Sequence, residues 1–214
     1  MNWMKKVAVA LVCLLPLGLQ AAKVDTLQVK SPSMNKSIEV VVVSPDVAAT
    51  KACPVIYLLH GYGGNARTWV GIKPDLSKIA DEKGIFFVCP DGKNTWYWDS
   101  PLNADVRYET FISDELVKYV DSHYKTVADR KGRAITGLSM GGHGAMWNGL
   151  RHSDVFSAAG STSGGVDIRP FPKNWEMSVQ IGEKAQYPEN WEKYTVINLS
   201  LIHISEPTRL ALIS

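Results

Sequence analysis

Short, continuously apolar segments alternate along this sequence with longer segments whose apolar residues recur at helical spacing. Residues 54–60 (PVIYLLH) and 85–89 (IFFVC) are apolar almost throughout, as expected of strands covered on both faces. Residues 66–80 and 108–124 have the helical pattern, and Pro74 marks a break or a late start in the first of them. This alternation predicts an α/β fold in which a largely parallel sheet carries helices on both faces.

The remaining segments extend the pattern and locate the loops of interest. Residues 24–29 and 37–43 are predicted to form an antiparallel strand pair. A short strand is predicted at residues 133–136, a helix at 141–151 and a last strand at 155–160. Ligands of open parallel sheets bind beyond the carboxyl ends of the strands, which points to the loops after His60, Cys89 and Thr136. Because Cys53 opens one strand and Cys89 closes another, the two are expected to be too far apart for a disulfide and to be buried free thiols.

Residues 1–22 have the pattern of a secretory signal peptide. Lys5 and Lys6 precede an apolar run from Val7 to Leu19, and small residues suitable for cleavage end at Ala22. We therefore expect a secreted or periplasmic protein, with an uncleaved anchor as the alternative.

The composition suits one domain and argues against several partners. The sequence has 214 residues with 23 basic and 21 acidic side chains, and cleavage after Ala22 would remove two lysines and balance them. No basic stripe occurs, so neither nucleic acid nor, after signal cleavage, a membrane is expected as a partner. No Cys or His spacing resembles a zinc site, and no metal or other cofactor is expected.

The end of the sequence looks foreign. Residues 199–209 (LSLIHISEPTR) resemble the translation of a transposase-type sequencing adapter. We therefore expect native sequence to stop near Asn198, residues 199–214 to be non-native, and His203 to have no chemical role. The alternative is a genuine strand followed by a turn at Glu206-Pro207.

Between the strand at 133–136 and the helix at 141–151 lies the sequence Gly137-Leu138-Ser139-Met140-Gly141. A serine flanked by glycine two residues away on each side, between a strand and a helix, is the pattern of a nucleophile elbow. The glycines leave room for a sharp, strained turn that holds the hydroxyl clear of the sheet. Ser139 is therefore the candidate nucleophile, and the Met140 N–H is a candidate oxyanion donor. An ordinary strand-to-helix turn is the alternative.

The sequence His60-Gly61-Tyr62-Gly63-Gly64 lies at the end of a buried strand. Enzymes with a nucleophile elbow place a second oxyanion donor in this position. The N–H of Tyr62 is the expected donor and that of Gly63 the alternative, with Gly61 and Gly63 beside the substrate. His60 is expected to brace this loop rather than to move protons. A tight turn without function remains the other interpretation.

Residues 91–99 (DGKNTWYWD) combine aromatic and polar side chains. Trp96, Trp98 and, from a later segment, Trp175 are predicted to contact substrate, because such rings stack on sugars and aromatic acids. The alternative is a cap that packs its own aromatic residues.

With these motifs placed, the sequence resembles the esterase D and feruloyl esterase group, which includes tributyrin-type esterases and is related to the mycolyltransferases. The matching stretches are LLHGYGGNARTW, PDGKNTWYWDSP, YETFISDELVKYVDSHY, AITGLSMGGHGAM and SGGVDIRPFPKNWE. The resemblance implies an α/β-hydrolase fold, metal-free ester hydrolysis and a Ser-Asp-His triad whose Asp and His follow the Ser, near the last two strands.

Neither of those two residues is visible, so we expect them beyond residue 198. Residues 23–198 would then be a partial catalytic domain that lacks its last strands, and the 214-residue chain would be nearly inactive. The other histidines after the leader and before the foreign tail, His123, His143 and His152, are expected to be structural or exposed. Asp167 remains an alternative triad acid.

The expected function of the full-length protein is serine ester hydrolysis, acting on feruloyl or acetyl esters of plant cell-wall polysaccharide. An acyltransferase of the same fold and a non-catalytic carbohydrate-binding relative are the alternatives.

Overall fold

The structure, a computed structural model, describes residues 22–202, and the side chains of residues 200–202 are left out of the description. Within this range the strands are β1 (Lys23–Ser31), β2 (Lys36–Ser44), β3 (Val55–Leu59), β4 (Phe86–Pro90), β5 (Arg133–Gly137) and β6 (Ala158–Ala159). The α-helices are α1 (Thr68–Ile72), α2 (Leu76–Lys83), α3 (Tyr108–Thr110), α4 (Leu116–His123), α5 (Met140–Arg151), α6 (Met177–Ile181), α7 (Pro188–Lys193) and α8 (Val196–Ile202). A π-helical segment, Phe111–Glu115, joins α3 to α4, and short 3-10 helices occupy Asp46–Ala49 and Arg130–Gly132.

The strands form one sheet in the order β1-β2-β4-β3-β5-β6. The predicted antiparallel pair is β1 and β2, and β2 is also antiparallel to β4. The neighbours β4, β3, β5 and β6 all run parallel. The largely parallel sheet predicted from the sequence is thus confirmed, and the carboxyl ends of β3, β4 and β5 meet at one edge.

In the inner strands β2, β3 and β4, side chains on both faces of the sheet are buried, which is why these sequences contain continuous apolar runs. In β2, the fully buried Val40 and Val42 belong to one cluster of core residues, whereas Val41 and Val43 belong to the other. Leu76 and Ala80 of α2 cover the second face. Residues of α4, α5 and α8 cover the first.

Two elements differ from the sequence prediction by more than a residue or two at their ends. The helix predicted over 66–80 is divided into α1 and α2, as Pro74 indicated. The strand predicted over 155–160 is reduced to Ala158–Ala159. The N–H groups of Val155 and Phe156 both donate to the carbonyl of His152, so the chain is still leaving α5 where the strand was expected.

Several other predictions fall on or beside the ends of the described range. Apart from Ala22, the predicted signal peptide lies outside the described residues, and so does the predicted foreign tail beyond residue 202. Helix α8 runs across the boundary placed near Asn198. Cys53 and Cys89 are buried free thiols, as expected. Among residues 22–202 no helix is long and apolar enough to cross a membrane.

Candidate active site

Ser139 occupies the turn between β5 and α5 with φ 55° and ψ −116°. Such a conformation is strained for a residue with a side chain, and the surrounding structure must hold it. The Ser139 N–H donates to the carbonyl of Thr162 at 2.8 Å, and the Gly141 N–H donates to Leu138 at 2.8 Å. Ser139 is exposed and lines a cavity.

The flanking glycines are needed because backbone atoms of other elements pass through the space of a side chain. A Cβ on Gly137 would lie 2.2 Å from the carbonyl oxygen of Gly141. A Cβ on Gly141 would lie 2.2 Å from the carbonyl oxygen of Leu59 in β3. The steric reason given for both glycines from the sequence is thus confirmed.

Two backbone N–H groups beside Ser139 have no hydrogen-bond partner among the described residues, and they belong to Met140 and Tyr62. Both residues line the same cavity as Ser139. The N–H of Gly63, by contrast, donates to Oδ1 of Asn94 at 2.9 Å. Of the two donors left open by the sequence, Tyr62 is therefore the one that is free to bind an oxyanion.

His60 holds the Gly61–Tyr62 peptide and so helps to direct the Tyr62 N–H. Gly92 donates its N–H to Nε2 of His60 at 2.9 Å, so the imidazole proton is on Nδ1. That nitrogen lies 2.7 Å from the carbonyl oxygen of Gly61, to which it donates. The Gly61 carbonyl and the Tyr62 N–H belong to one planar trans peptide and point in opposite directions. His60 is buried and braces the loop, and the ring does not reach the cavity.

The cavity has a volume of about 310 Å³ and a partly aromatic wall. Tyr62, Phe171 and Trp175 are 38%, 43% and 45% exposed, so their rings are open to a ligand. Trp96 is nearly buried behind them and donates its Nε1–H to the carbonyl of Trp175 at 3.0 Å. The complete lining is Tyr62, Trp96, Ser139, Met140, Ser163, Gly164, Gly165, Asp167, Ile168, Phe171, Trp175 and Met177.

Trp98 does not contact this cavity, and the prediction that it binds substrate is wrong. It is fully buried and donates its Nε1–H to Nε2 of His143 at 3.0 Å. The ring also packs against Tyr194, with ring centroids 5.2 Å apart. Trp96 and Tyr97 both have φ 59°, and the chain turns so that the two tryptophan rings stack with centroids 5.5 Å apart. Trp96 lies on the cavity side of this stack and Trp98 on the core side. Gly61 and Gly63 shape the loop and are absent from the cavity lining.

The imidazole rings of His143, His152 and His123 make their contacts away from the Ser139 hydroxyl. His143 accepts from Trp98 at Nε2 and donates from Nδ1 to the carbonyl of Gly165, 2.7 Å away. Burial lowers the pKa of His143 to about 4, although the hydrogen bond to Gly165 opposes this shift. His152 binds the buried carboxylate of Glu109 at 2.9 Å, and His123 is stacked on the ring of Tyr119. These contacts fit the structural roles expected of them.

Asp167 lines the cavity but is occupied by an ion pair. Nε and Nη2 of Arg169 each lie 2.8 Å from an oxygen of this carboxylate. The hydrogen bond from Arg169 holds the pKa of Asp167 below its usual value. Residues 22–202 thus contain a candidate nucleophile and two candidate oxyanion donors. No histidine within these residues is placed to act as the base for Ser139.

The sequence did not single out the apolar lining residues Phe171, Ile168 and Met177. Phe171 stands four residues before Trp175 in RPFPKNWE, and the two rings are tilted against each other with centroids 5.5 Å apart. An aromatic residue close to a suspected substrate-binding tryptophan was the available signal. Ile168 and Met177 gave no signal beyond being apolar.

The chain is similar to known esterases in sequence. Residues 31–209 match the family model Esterase, described as "Putative esterase". The chain is similar to Esterase Rv1288 of Mycobacterium tuberculosis, with 31% identity over 149 residues, which is 66% of this chain and 32% of that protein. The chain therefore matches over about a third of that relative's length.

Among solved structures, the chain is similar to a ferulic acid esterase, with a TM-score of 0.65 and 31% identity over 82% of this chain and 71% of that one. It is also similar to FphF, a fluorophosphonate-binding serine hydrolase of Staphylococcus aureus, with a TM-score of 0.76 and 18% identity over 89% of this chain and 77% of that one. The second likeness shows the shared α/β-hydrolase fold. The family model and the likeness to the ferulic acid esterase confirm the resemblance drawn from the sequence motifs. Since the family model spans most of the sequence, the chain belongs to the Esterase family.

Proposed function

We propose that the protein is a serine carboxylic-ester hydrolase that works through an acyl-enzyme on Ser139. The observation that carries this proposal is the exposed Ser139, held in a strained turn beside the N–H groups of Met140 and Tyr62, for which no described residue provides an acceptor. An ester carbonyl can approach the Ser139 hydroxyl in this position, and the two N–H groups can donate hydrogen bonds to the carbonyl oxygen. Family membership supports the same reaction class.

In the proposed reaction, Oγ of Ser139 attacks the ester carbonyl carbon while its proton passes to a base. The carbonyl oxygen becomes an oxyanion and accepts hydrogen bonds from Met140 and Tyr62. Collapse of this intermediate breaks the bond to the alcohol, which leaves with the proton. Water then attacks the acyl-enzyme in the same manner and releases the carboxylic acid.

The base in this proposal is a histidine from a part of the full-length protein outside residues 22–202, oriented by an acidic residue from the same part. The alternatives inside the described range are disfavoured by their contacts. Both ring nitrogens of His143 are occupied in the core, and Asp167 is held by Arg169. A serine without its base retains only the catalysis of the oxyanion donors and of binding. We therefore expect the 214-residue chain to be much less active than a longer product that includes the base.

The proposed substrates are feruloyl or acetyl esters on plant cell-wall polysaccharide. The exposed rings of Phe171 and Trp175 give the cavity a surface on which an aromatic acyl group can stack. The likeness to a ferulic acid esterase points to the same acyl group.

Secretion or periplasmic location belongs to the proposal as well, and it depends on the signal-peptide pattern of residues 1–22. Sequencing of the N-terminus of exported protein tests it. A mature chain that begins at or next to Ala22 is expected, and retention of Met1 on the exported protein would contradict cleavage.

Labelling with a fluorophosphonate probe tests the nucleophile, because this reagent bonds to activated serines. The full-length protein should be labelled and should hydrolyse p-nitrophenyl acetate, and Ser139→Ala should lose both. Ser122→Ala is the matched control, since Ser122 is an exposed serine of α4 whose hydroxyl donates to the carbonyl of Tyr119. Labelling that persists in Ser139→Ala would overturn the assignment. Release of free acid rather than transfer to an added sugar distinguishes a hydrolase from an acyltransferase.

A further inference from the structure

The loop from His60 to Gly64 presents several N–H groups near Ser139, and hydrogen bonds decide which of them stays free. The Gly64 N–H donates to the carbonyl of Gly61 at 3.0 Å, which closes a tight turn. The Gly63 N–H donates to Oδ1 of Asn94 at 2.9 Å. The N–H of Tyr62, between them, has no partner among the described residues.

Packing alone does not hold the loop at Gly63. Gly63 has φ +74°, and no heavy atom of a neighbouring segment lies within 4 Å of the position that its Cβ would take. Glycine in open space can adopt many conformations at little cost. The side chain of Asn94 is therefore the direct contact that fixes the peptide between Tyr62 and Gly63.

Asn94 is itself oriented by a second contact. Its Nδ2–H donates to Oε2 of Glu176 at 3.2 Å, which turns Oδ1 towards Gly63. Glu176 also neighbours the phenol of Tyr62, whose pKa is raised by partial desolvation and then by this carboxylate. Asn94 is thus linked to Tyr62 through two intermediates. One is the Gly63 N–H, which donates to Asn94, and the other is the Glu176 carboxylate, which accepts from Asn94 and neighbours the Tyr62 phenol.

We infer that Asn94 is a positioning residue of the oxyanion site. By accepting a hydrogen bond from the Gly63 N–H, it holds the loop so that the Tyr62 N–H, and not the Gly63 N–H, is directed at the cavity. This inference rests on the proposed function. Asn94 touches neither substrate nor Ser139 in this role, and its effect passes through Tyr62. An oxyanion contact forms only as charge develops, so a misplaced donor lowers kcat and leaves KM nearly unchanged.

The experiment compares Asn94→Ala, Asn94→Asp and the pair Asn94→Asp with Glu176→Gln in the full-length protein. Asn94→Ala removes one hydrogen bond and should lower kcat for p-nitrophenyl acetate by about tenfold, with KM within about twofold. Asn94→Asp keeps the acceptor for Gly63 but faces Glu176 with a like charge, and it should also lose activity. Adding Glu176→Gln reverses the direction of that hydrogen bond and should restore most of kcat.

Asn103→Ala is the matched control, because Oδ1 of Asn103 accepts from the Asp105 N–H at 2.9 Å in an exposed loop away from the cavity. Amide hydrogen exchange provides a readout that needs no activity: the Gly63 N–H should exchange faster in Asn94→Ala and remain protected in the rescued double variant. Unchanged kcat in Asn94→Ala, or no rescue by Glu176→Gln, would overturn the role of Asn94 while Ser139→Ala still abolished activity. Equal hydrolysis by wild type and Ser139→Ala would instead remove the proposed function, and the role of Asn94 with it.

Discussion

Gly137 and Gly141 approach so closely across the Ser139 turn that a Cβ on Gly137 would stand 2.2 Å from the carbonyl oxygen of Gly141. The obstructing atom is backbone and cannot rotate away. We expect Gly137→Ala to lower the free energy of unfolding by about 3 kcal/mol or more, because the turn must open to admit the methyl group. Urea denaturation measures the change. Gly71→Ala is the control: no neighbouring atom lies within 4 Å of that Cβ position in α1, and alanine should be neutral or stabilising there.

The strain at Ser139 predicts a trade-off between stability and activity. Glycine accepts φ 55° and ψ −116° more readily than serine. Ser139→Gly should therefore raise the free energy of unfolding by about 1 kcal/mol while abolishing fluorophosphonate labelling. Ser139→Ala should lose labelling without this gain, since alanine retains the Cβ. Equal stabilities of the two variants would show that the turn stores no strain.

His143 gives the fold a dependence on pH with a definite sign. Burial lowers its pKa from 6.5 to about 4, so the unfolded chain binds a proton more readily than the folded one. The contribution of His143 to the free energy of unfolding is fully present above about pH 6.5. It is lost as the pH falls towards 4 and below, by about 3 kcal/mol in total.

His143→Gln provides the measurement for that prediction. The difference in unfolding free energy between wild type and His143→Gln should shrink between pH 7 and pH 4, because glutamine does not titrate. Urea denaturation at several pH values gives this difference, in which the contributions of the other titratable groups cancel. A constant difference over the range would contradict the assignment to His143.

The exposed ring of Trp175 predicts selectivity for an aromatic acyl group. Trp175→Ala should raise KM for methyl ferulate by about tenfold, since a stacked aromatic pair and its buried area are lost. KM for p-nitrophenyl acetate should change by less than about twofold, because an acetyl group has no ring to stack. Steady-state kinetics on both esters tests this, and equal effects on the two substrates would exclude a feruloyl-binding role.

The sequence by itself determined the features that depend on residues close together along the chain. Apolar strands alternating with amphipathic helices predicted the parallel sheet, and the spacing of Gly137, Ser139 and Gly141 predicted the elbow, because both follow from local sterics and periodicity. Only the tertiary structure decided which N–H of the His60–Gly64 loop is free, since the partner of Gly63 is Asn94, 31 residues away. It also decided that Trp96 lines the cavity while Trp98, stacked behind it, lies in the core, because Trp96 and Tyr97 have positive φ and no sequence periodicity applies to such a loop. Phe171 and Met177 reached the cavity in the same way, from a segment that lies beside Ser139 only once the chain has folded.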